Sequence, residues 1–231
     1  MSANIVLVDD DKNLLVSLSV ALKAENFAVE SYADSSAALE AMKIRQPDLA
    51  ILDITMPGMD GTALLGQLRR ISSVPVIILS ARSGEIDEIL GLKMGADDYI
   101  RKPFFQRVLI ERVRTVLRRA NKTGSAIEDD DSEVPIRGDL RLDMSRHECS
   151  WKKNLITLTV TEFNLLRALV YRLGHVKDRD QLMDEAYGES IYVTDRTIDS
   201  HIKRIRRKLK SVDKEFTGIR TLYGVGYQFQ T

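Results

Sequence analysis

The chain has one cysteine, Cys149, among its 231 residues, together with five prolines and one tryptophan. A single thiol cannot close an intrachain disulfide, and nothing around it has metal-ligand spacing. No apolar run approaches the roughly 18 residues of a membrane span. The first residues enter an apolar strand directly, without a basic leader or a small-residue cleavage site, so no secretory signal is expected. Net charge is also missing, with 34 basic against 34 acidic residues. These absences exclude a disulfide scaffold and a membrane protein, and lead us to expect a cytoplasmic location. A hydrophobic share of 44% and a charged share of 29% are ordinary for globular protein, and the length suits two domains.

The zero net charge hides an asymmetry. Basic minus acidic residues come to about −1 over 1–120, −4 over 121–133 and +5 over 134–231. The basic surface a nucleic acid needs therefore lies in the last part of the chain.

Strands and amphipathic helices alternate through residues 1–120. Leu15, Leu18 and Leu22 recur at helical spacing, as do Val113, Val116 and Leu117. Alternation of this kind predicts an α/β domain with a doubly wound five-stranded parallel sheet in the flavodoxin-like order and five helices. Residues 121–133 are polar and acidic and read as a flexible linker. From 134 the pattern changes to short alternating strands, including Leu140–Asp143 and Asn154–Leu158. Helices are then expected over Thr161–Leu173, Arg179–Ala186 and Asp195–Lys210. A glycine-tipped hairpin over Ile219–Phe229 completes a winged helix-turn-helix.

Four predicted strand ends carry chemistry. Ile5–Val8 ends in Asp9-Asp10-Asp11, Leu49–Leu52 in Asp53, Val76–Leu79 in Ser80, and Tyr99–Arg101 in Lys102-Pro103. Ligand chemistry in open α/β sheets sits at these carboxyl ends. Clustered carboxylates repel unless paired, and a hard cation such as Mg²⁺, taking one or two carboxylates plus phosphate oxygens, resolves the repulsion. Asp10 and Asp53 are the expected direct ligands, with Asp9 direct or through water. Asp53 is then poised to attack a phosphoryl group while Lys102 and Ser80 hold its other oxygens. The acidic triplet alone also fits a solvated helix N-terminus.

In the third helix of the C-terminal part, Ile198, Ile202, Ile205 and Leu209 form one apolar stripe. The opposite face carries Arg196, Ser200, Lys203, Arg204 and Arg207, a pattern suited to the DNA major groove. Arg196 and Arg204 are the expected base readers, and Lys203 and Arg207 the expected phosphate contacts. His147 and His175 read as ordinary surface or loop histidines, and Trp151 as packing.

The order Asp9-Asp10, Asp53, Ser80, Lys102 and the segment Gly95-Ala96-Asp97-Asp98-Tyr99-Ile100-Arg101-Lys102-Pro103-Phe104 resemble the receiver domain of two-component response regulators. Asp195–Leu209, Thr159–Leu166 and Tyr223-Gly224-Val225-Gly226-Tyr227 are similar to the recognition helix, first helix and wing of the OmpR/PhoB family. Within it, the likeness is nearest to ChvI-type regulators of alphaproteobacteria. The resemblance implies a receiver at 1–120, a linker at 121–133 and a winged-helix DNA-binding domain at 134–231. It implies that a sensor histidine kinase phosphorylates Asp53 with Mg²⁺, which the backbone carbonyl of Thr55 also ligates. The chain would catalyse phosphoryl transfer to and hydrolysis from its own Asp53, without being an enzyme toward other substrates. Tyr99 becomes the switch partner of Ser80, and activation makes a homodimer.

The resemblance also implies ion pairs of Asp98 with Arg112 and Asp97 with Arg119 at the dimer interface. A third family pair is altered, because Glu88 and Val108 replace the usual residues, with Arg107 adjacent. Thr197 and His201 join the DNA-contacting set, as does Arg220. Tyr223 stands where the family often has a wing arginine. Tyr187–Val193 would meet RNA polymerase.

Two other readings share parts of the pattern. A haloacid-dehalogenase-class phosphatase also uses an aspartate nucleophile, but needs a second Asp two residues on, where this chain has Thr55. A constitutively dimeric DNA-binding protein would leave the acidic pocket idle.

Overall fold

Three five-residue strands, β1 (Asn4–Val8), β3 (Leu49–Asp53) and β4 (Val76–Ser80), are buried at every position. That is the pattern of parallel strands covered on both faces. Strand β2 (Ala28–Tyr32) is only partly buried and forms one edge; β5 (Asp98–Arg101) forms the other. In this computed structural model, residues 2–81, 94–121, 136–144, 146–187 and 196–230 are described. The chain divides into two compact units, Met1–Ala120 and Asn121–Thr231.

The first unit is a five-stranded parallel sheet in the order β2-β1-β3-β4-β5, as expected. Helices α1 (Lys12–Ala24), α2 (Ser35–Ile44), α3 (Gly61–Ile71) and α4 (Gln106–Asn121) accompany it. Leu15, Leu18 and Leu22 of α1 pack with Val113, Val116 and Leu117 of α4 in one core. The expected helix between β4 and β5, with Glu88, falls almost wholly outside the described residues. Strand order reverses between β1 and β3, which opens a crevice at their carboxyl ends.

The second unit begins with an antiparallel sheet, β6 (Ile136–Arg137), β7 (Leu140–Asp143), β8 (Glu148–Trp151) and β9 (Asn154–Ile156). Strand β9 stops two residues short of the expected end. Helix α5 (Val160–Tyr171) starts earlier than expected. Its N-cap is Thr159, whose hydroxyl accepts from the Glu162 amide while Glu162 Oε2 accepts from the Thr159 amide at 2.9 Å. This reciprocal capping box, rather than Thr161, sets the helix start. Helices α6 (Arg179–Tyr187) and α7 (Arg196–Val212) follow. A three-stranded sheet pairs β10 (Val176–Lys177), β12 (Gly226–Phe229) and β11 (Ile219–Leu222). Strand β10 was not foreseen, because two residues carry no readable periodicity. The expected linker, 121–133, falls almost wholly outside the described residues.

Ile198, Ile202, Ile205 and Leu209 are all fully buried, which fixes the inner face of α7. Each such side chain contributes about 1.5–3 kcal/mol on burial. Trp151 packs edge-on to Phe216 and donates from its indole nitrogen to Asp213 Oδ2 at 2.8 Å, so its role is structural.

His147 departs from the surface reading. Its ring lies 3.9 Å from that of Phe163, and burial together with the Arg167 charge lowers its pKa to about 4. The unfolded chain takes up this proton near pH 6.5 and the folded one resists until about 4. Acidification through that window therefore destabilises the second unit, by up to about 3 kcal/mol, with a plateau below it. Urea unfolding midpoints against pH should show this slope, and His147→Phe should flatten it.

Candidate functional site

The reversal of strand order brings the loops after β1 and β3 together. Ligand oxygens of Asp9, Asp10 and Asp53 all lie within 4.8 Å of one another. Asp9 and Asp53 are buried, and Asp10 is exposed. Asp11 does something else: its carboxylate caps α1, accepting from the amides of Asn13 at 2.9 Å and Leu14 at 3.2 Å. The helix-terminus reading thus holds for Asp11, while its two neighbours face Asp53.

Lys102, delivered by the end of β5, closes the group. Its ammonium lies 2.7 Å from Asp9 Oδ2 and 2.7 Å from Asp53 Oδ1. Burial pulls the Lys102 pKa down, but its close approach to the Asp53 and Asp9 carboxylates outweighs this and leaves it raised. Burial raises the Asp9 pKa; the Lys102 bond and the Asp11 amide oppose this only in part, and the Asp53 charge adds to it. Asp53 Oδ1 has no aligned hydrogen-bond donor although it is buried and close to the ammonium. Three carboxylates against one lysine, with a buried oxygen lacking an aligned donor, fit a hard divalent cation. Thr55 is exposed two residues beyond Asp53, in the same loop.

Ser80 ends β4, fully buried, and its carbonyl accepts from the Lys102 amide at 2.7 Å. Tyr99 pairs in register with Ile78 and is 9% exposed, so it is already turned inward. The strand ends therefore bring carboxylates, an ammonium and a hydroxyl to one sheet edge, a set able to accept and hold a phosphoryl group.

Gly61 supports the loop from below. Its amide donates to the Ile54 carbonyl at 3.0 Å, and a Cβ there would stand 1.9 Å from the Asp53 carbonyl oxygen. Gly61→Ala should push the Asp53 backbone aside, costing about 1–3 kcal/mol and slowing phosphoryl uptake. Denaturant midpoints and phosphate incorporation would read the two effects.

Asp98 Oδ2 lies 3.5 Å from Arg112 within one protomer, and burial raises the Asp98 pKa despite Arg112, the Tyr99 amide and Arg119. Within the chain, Asp97 is engaged by Arg69 at 3.0 Å and by the Val76 amide at 3.0 Å. Arg69 also donates to the Gly95 carbonyl at 2.9 Å and the Val74 carbonyl at 2.6 Å. Arg69 was missed by sequence reasoning, because its partners lie up to 28 residues away. Val108 is 43% exposed.

In the second unit, α7 is flanked on both sides. On one flank Arg204 Nε donates to Glu162 Oε1 at 3.1 Å, and Lys208 Nζ to Glu162 Oε2 at 2.5 Å. On the other, Arg206 donates to the Ile219 carbonyl and Thr221, and Asp199 accepts from Tyr227 and Arg179. The open face between them holds Lys203 and Arg207, both exposed, with Ser200 half-buried. Three expected DNA contacts are thereby corrected. Thr197 and His201 are fully buried, and Arg204 is only 13% exposed in its side chain. At about 100° per residue they fall on the flank that α5 covers, not opposite the apolar stripe.

Arg196 opens α7, with its side chain outside the described set, as are residues 188–193 of the expected polymerase-contacting loop. Arg220 is exposed beside Gln230, and Tyr223 stands 94% exposed at the wing tip. No described helix is long and apolar enough to cross a membrane.

Comparison with known proteins matches both units. Residues 5–114 match the response regulator receiver domain, and residues 152–229 match the C-terminal domain of transcriptional regulatory proteins. The transcriptional regulatory protein BaeR of Escherichia coli is 41% identical over 226 residues, covering 98% of this chain and 92% of that one. Among solved structures, a RitR mutant superposes with a TM-score of 0.74 at 25% identity, covering 99% of both chains. DrrB of Thermotoga maritima, an OmpR/PhoB homologue, gives 0.50 at 28% identity over all of both. With a receiver, a winged-helix transcriptional domain and near full-length relatives of the same build, the chain belongs to the OmpR/PhoB-type response regulators.

Proposed function

We propose that this response regulator is a transcription factor controlled by phosphorylation of Asp53. Residues 1–120 act as receiver, 121–133 as linker and 134–231 as the DNA-binding domain. The observation that carries the reading is the pair of 2.7 Å contacts from Lys102 to Asp9 and Asp53 at the sheet's switch point.

A sensor histidine kinase supplies the phosphoryl group: the donor's N–P bond breaks, an Asp53 carboxylate oxygen forms the new P–O bond, and the departing imidazole nitrogen takes a proton from solvent. Asp9, Asp10, Asp53 and the Thr55 carbonyl would hold Mg²⁺. Mg²⁺ supplies charge neutralisation on the phosphoryl oxygens. Lys102 leaves its direct pairing with Asp53 to hold a phosphoryl oxygen, and the Ser80 hydroxyl donates to another. Tyr99, on the neighbouring strand β5, acts as the switch partner of Ser80. Hydrolysis by water at the same centre returns free Asp53 and inorganic phosphate. This self-directed chemistry is the chain's only catalysis.

Activation shifts the receiver toward a homodimer joined through the face of β5 and α4, where Asp97, Asp98, Arg112 and Arg119 lie. Arg69 holds Asp97 through Oδ2 within the receiver, and pairing with Arg119 of a second copy would add to that contact. Two DNA-binding domains then reach adjacent sites, and affinity rises through effective concentration. RNA polymerase is met by the loop 188–193, in the cytoplasm; Tyr187, expected to belong to that surface, ends α6 and is buried. Within the family, we place the chain with the ChvI-type regulators on the strength of the sequence likeness.

Sedimentation of the full chain with Mg²⁺, with and without beryllium fluoride, tests the assembly step. A monomer-to-dimer shift in wild type but not in Asp53→Ala is expected. No shift with the mimic bound would remove receiver-driven dimerisation in free solution.

A further inference from the structure

The basic residues of α7 are not equivalent. Lys203 and Arg207 are exposed, whereas Arg204 is gripped on two edges. Its Nε donates to Glu162 Oε1 at 3.1 Å, and its Nη2 lies 2.7 Å from His201 Nδ1. A guanidinium only donates, so Nδ1 must offer a lone pair and the ring proton must sit on Nε2. That nitrogen is 2.5 Å from the Tyr187 hydroxyl, which therefore accepts. Tyr187, His201 and Glu162 are 1%, 0% and 0% exposed. A buried polar chain thus runs from the end of α6 through His201 and Arg204 to the first turn of α5.

Resting on the DNA-binding reading above, we propose that His201 is a positioning residue that fixes Arg204 as a brace between α7 and α5, so that Arg204 reads no base. A bidentate guanine contact uses two guanidinium donors at once. Here Nη2 is committed to His201 and Nε to Glu162, and withdrawing them breaks two contacts to buried groups. Among the described residues of α7, recognition then falls to Ser200, Lys203 and Arg207 on the open face. The imidazole is the selecting element, because it offers one acceptor at the distance that holds the guanidinium edge-on.

The test uses the full-length chain with beryllium fluoride and Mg²⁺. Duplexes are first enriched from a random pool by the wild type, then binding is measured against salt. Lys203→Met and Arg207→Met should each lower the slope of log affinity against log salt by about one. Arg204→Met should leave the slope unchanged and return the wild-type motif from a fresh selection. His201→Asn keeps an acceptor near the Nδ1 position and should behave as wild type. His201→Gln moves the acceptor, releases Arg204, and should steepen the slope by about one, an effect that vanishes when Arg204→Met is added. Loss of slope or of one base preference in Arg204→Met overturns the brace, and this arm stands even where His201→Gln does not fold. A folded His201→Gln indistinguishable from wild type overturns the role of His201. A wild-type pool with no enriched sequence would instead overturn the DNA-binding reading itself, and the brace with it.

Discussion

Asp53→Ala is expected to abolish phosphate incorporation, from a small acyl phosphate and from a histidine kinase alike. The expectation follows from placement. Asp53 ends a fully buried strand, and its carboxylate is 1% exposed in sum with its backbone yet lies at the mouth of the β1–β3 crevice with Asp9 and Asp10. Asp9 is pinned by its bonds to the Lys102 ammonium and the Asp11 amide, and Asp11 caps α1, so neither stands in for the missing nucleophile. The activation-dependent gain in DNA affinity, on the order of 10²–10⁴ for linked sites, should vanish with it. The folded state should survive, because removing one of several mutually repelling carboxylates relieves as well as removes interactions. Radiolabel incorporation and the melting temperature of the same variant separate the two effects.

Glu162→Ala should be the most damaging single change in the second unit. Glu162 is completely buried and joins three things at once: the Thr159 amide of the capping box, Arg204 and Lys208. Removing one partner of a buried ion pair costs about 3–5 kcal/mol, because the other charges are left uncompensated. A lost helix cap ordinarily costs about 1 kcal/mol, and the two contributions overlap rather than add. Against a typical domain stability of about 5–15 kcal/mol, much of the margin goes. Urea unfolding of the full chain should show the second unit's transition moving to lower denaturant while the receiver's transition stays in place. A shift of less than about 1 kcal/mol would mean that Glu162 does not clamp α7.

The acidic site was legible in the sequence because each of its residues follows an apolar run, and such runs in an alternating α/β chain become parallel strands with their carboxyl ends on one edge. Asp53 after Leu49–Leu52 and Lys102 after Tyr99–Arg101 needed only that rule. Arg69 was not legible, since nothing local in α3 marks it as the residue that holds Asp97 and the Gly95 carbonyl. The α7 helix shows the same boundary. Periodicity identified Ile198, Ile202, Ile205 and Leu209 as its buried stripe. It could not say how far neighbours wrap around the flanks, so Arg204 is expected on an open face where α5 covers it, as are Thr197 and His201, which the family resemblance added. The capping pair Thr159 and Glu162 was written in the sequence, but the bonds from Arg204 and Lys208 span 42 and 46 residues. His147 was misread for a related reason: its contact with Phe163 joins a hairpin to a helix.

The most direct measurement of phosphorylation control is the affinity of the full-length chain for an enriched duplex in Mg²⁺, with and without beryllium fluoride, in wild type and in Asp53→Ala. Tighter binding in wild type alone is the expected result. Unchanged affinity in a wild-type protein shown to carry the beryllium adduct, or an equal change in the variant, would contradict control through Asp53.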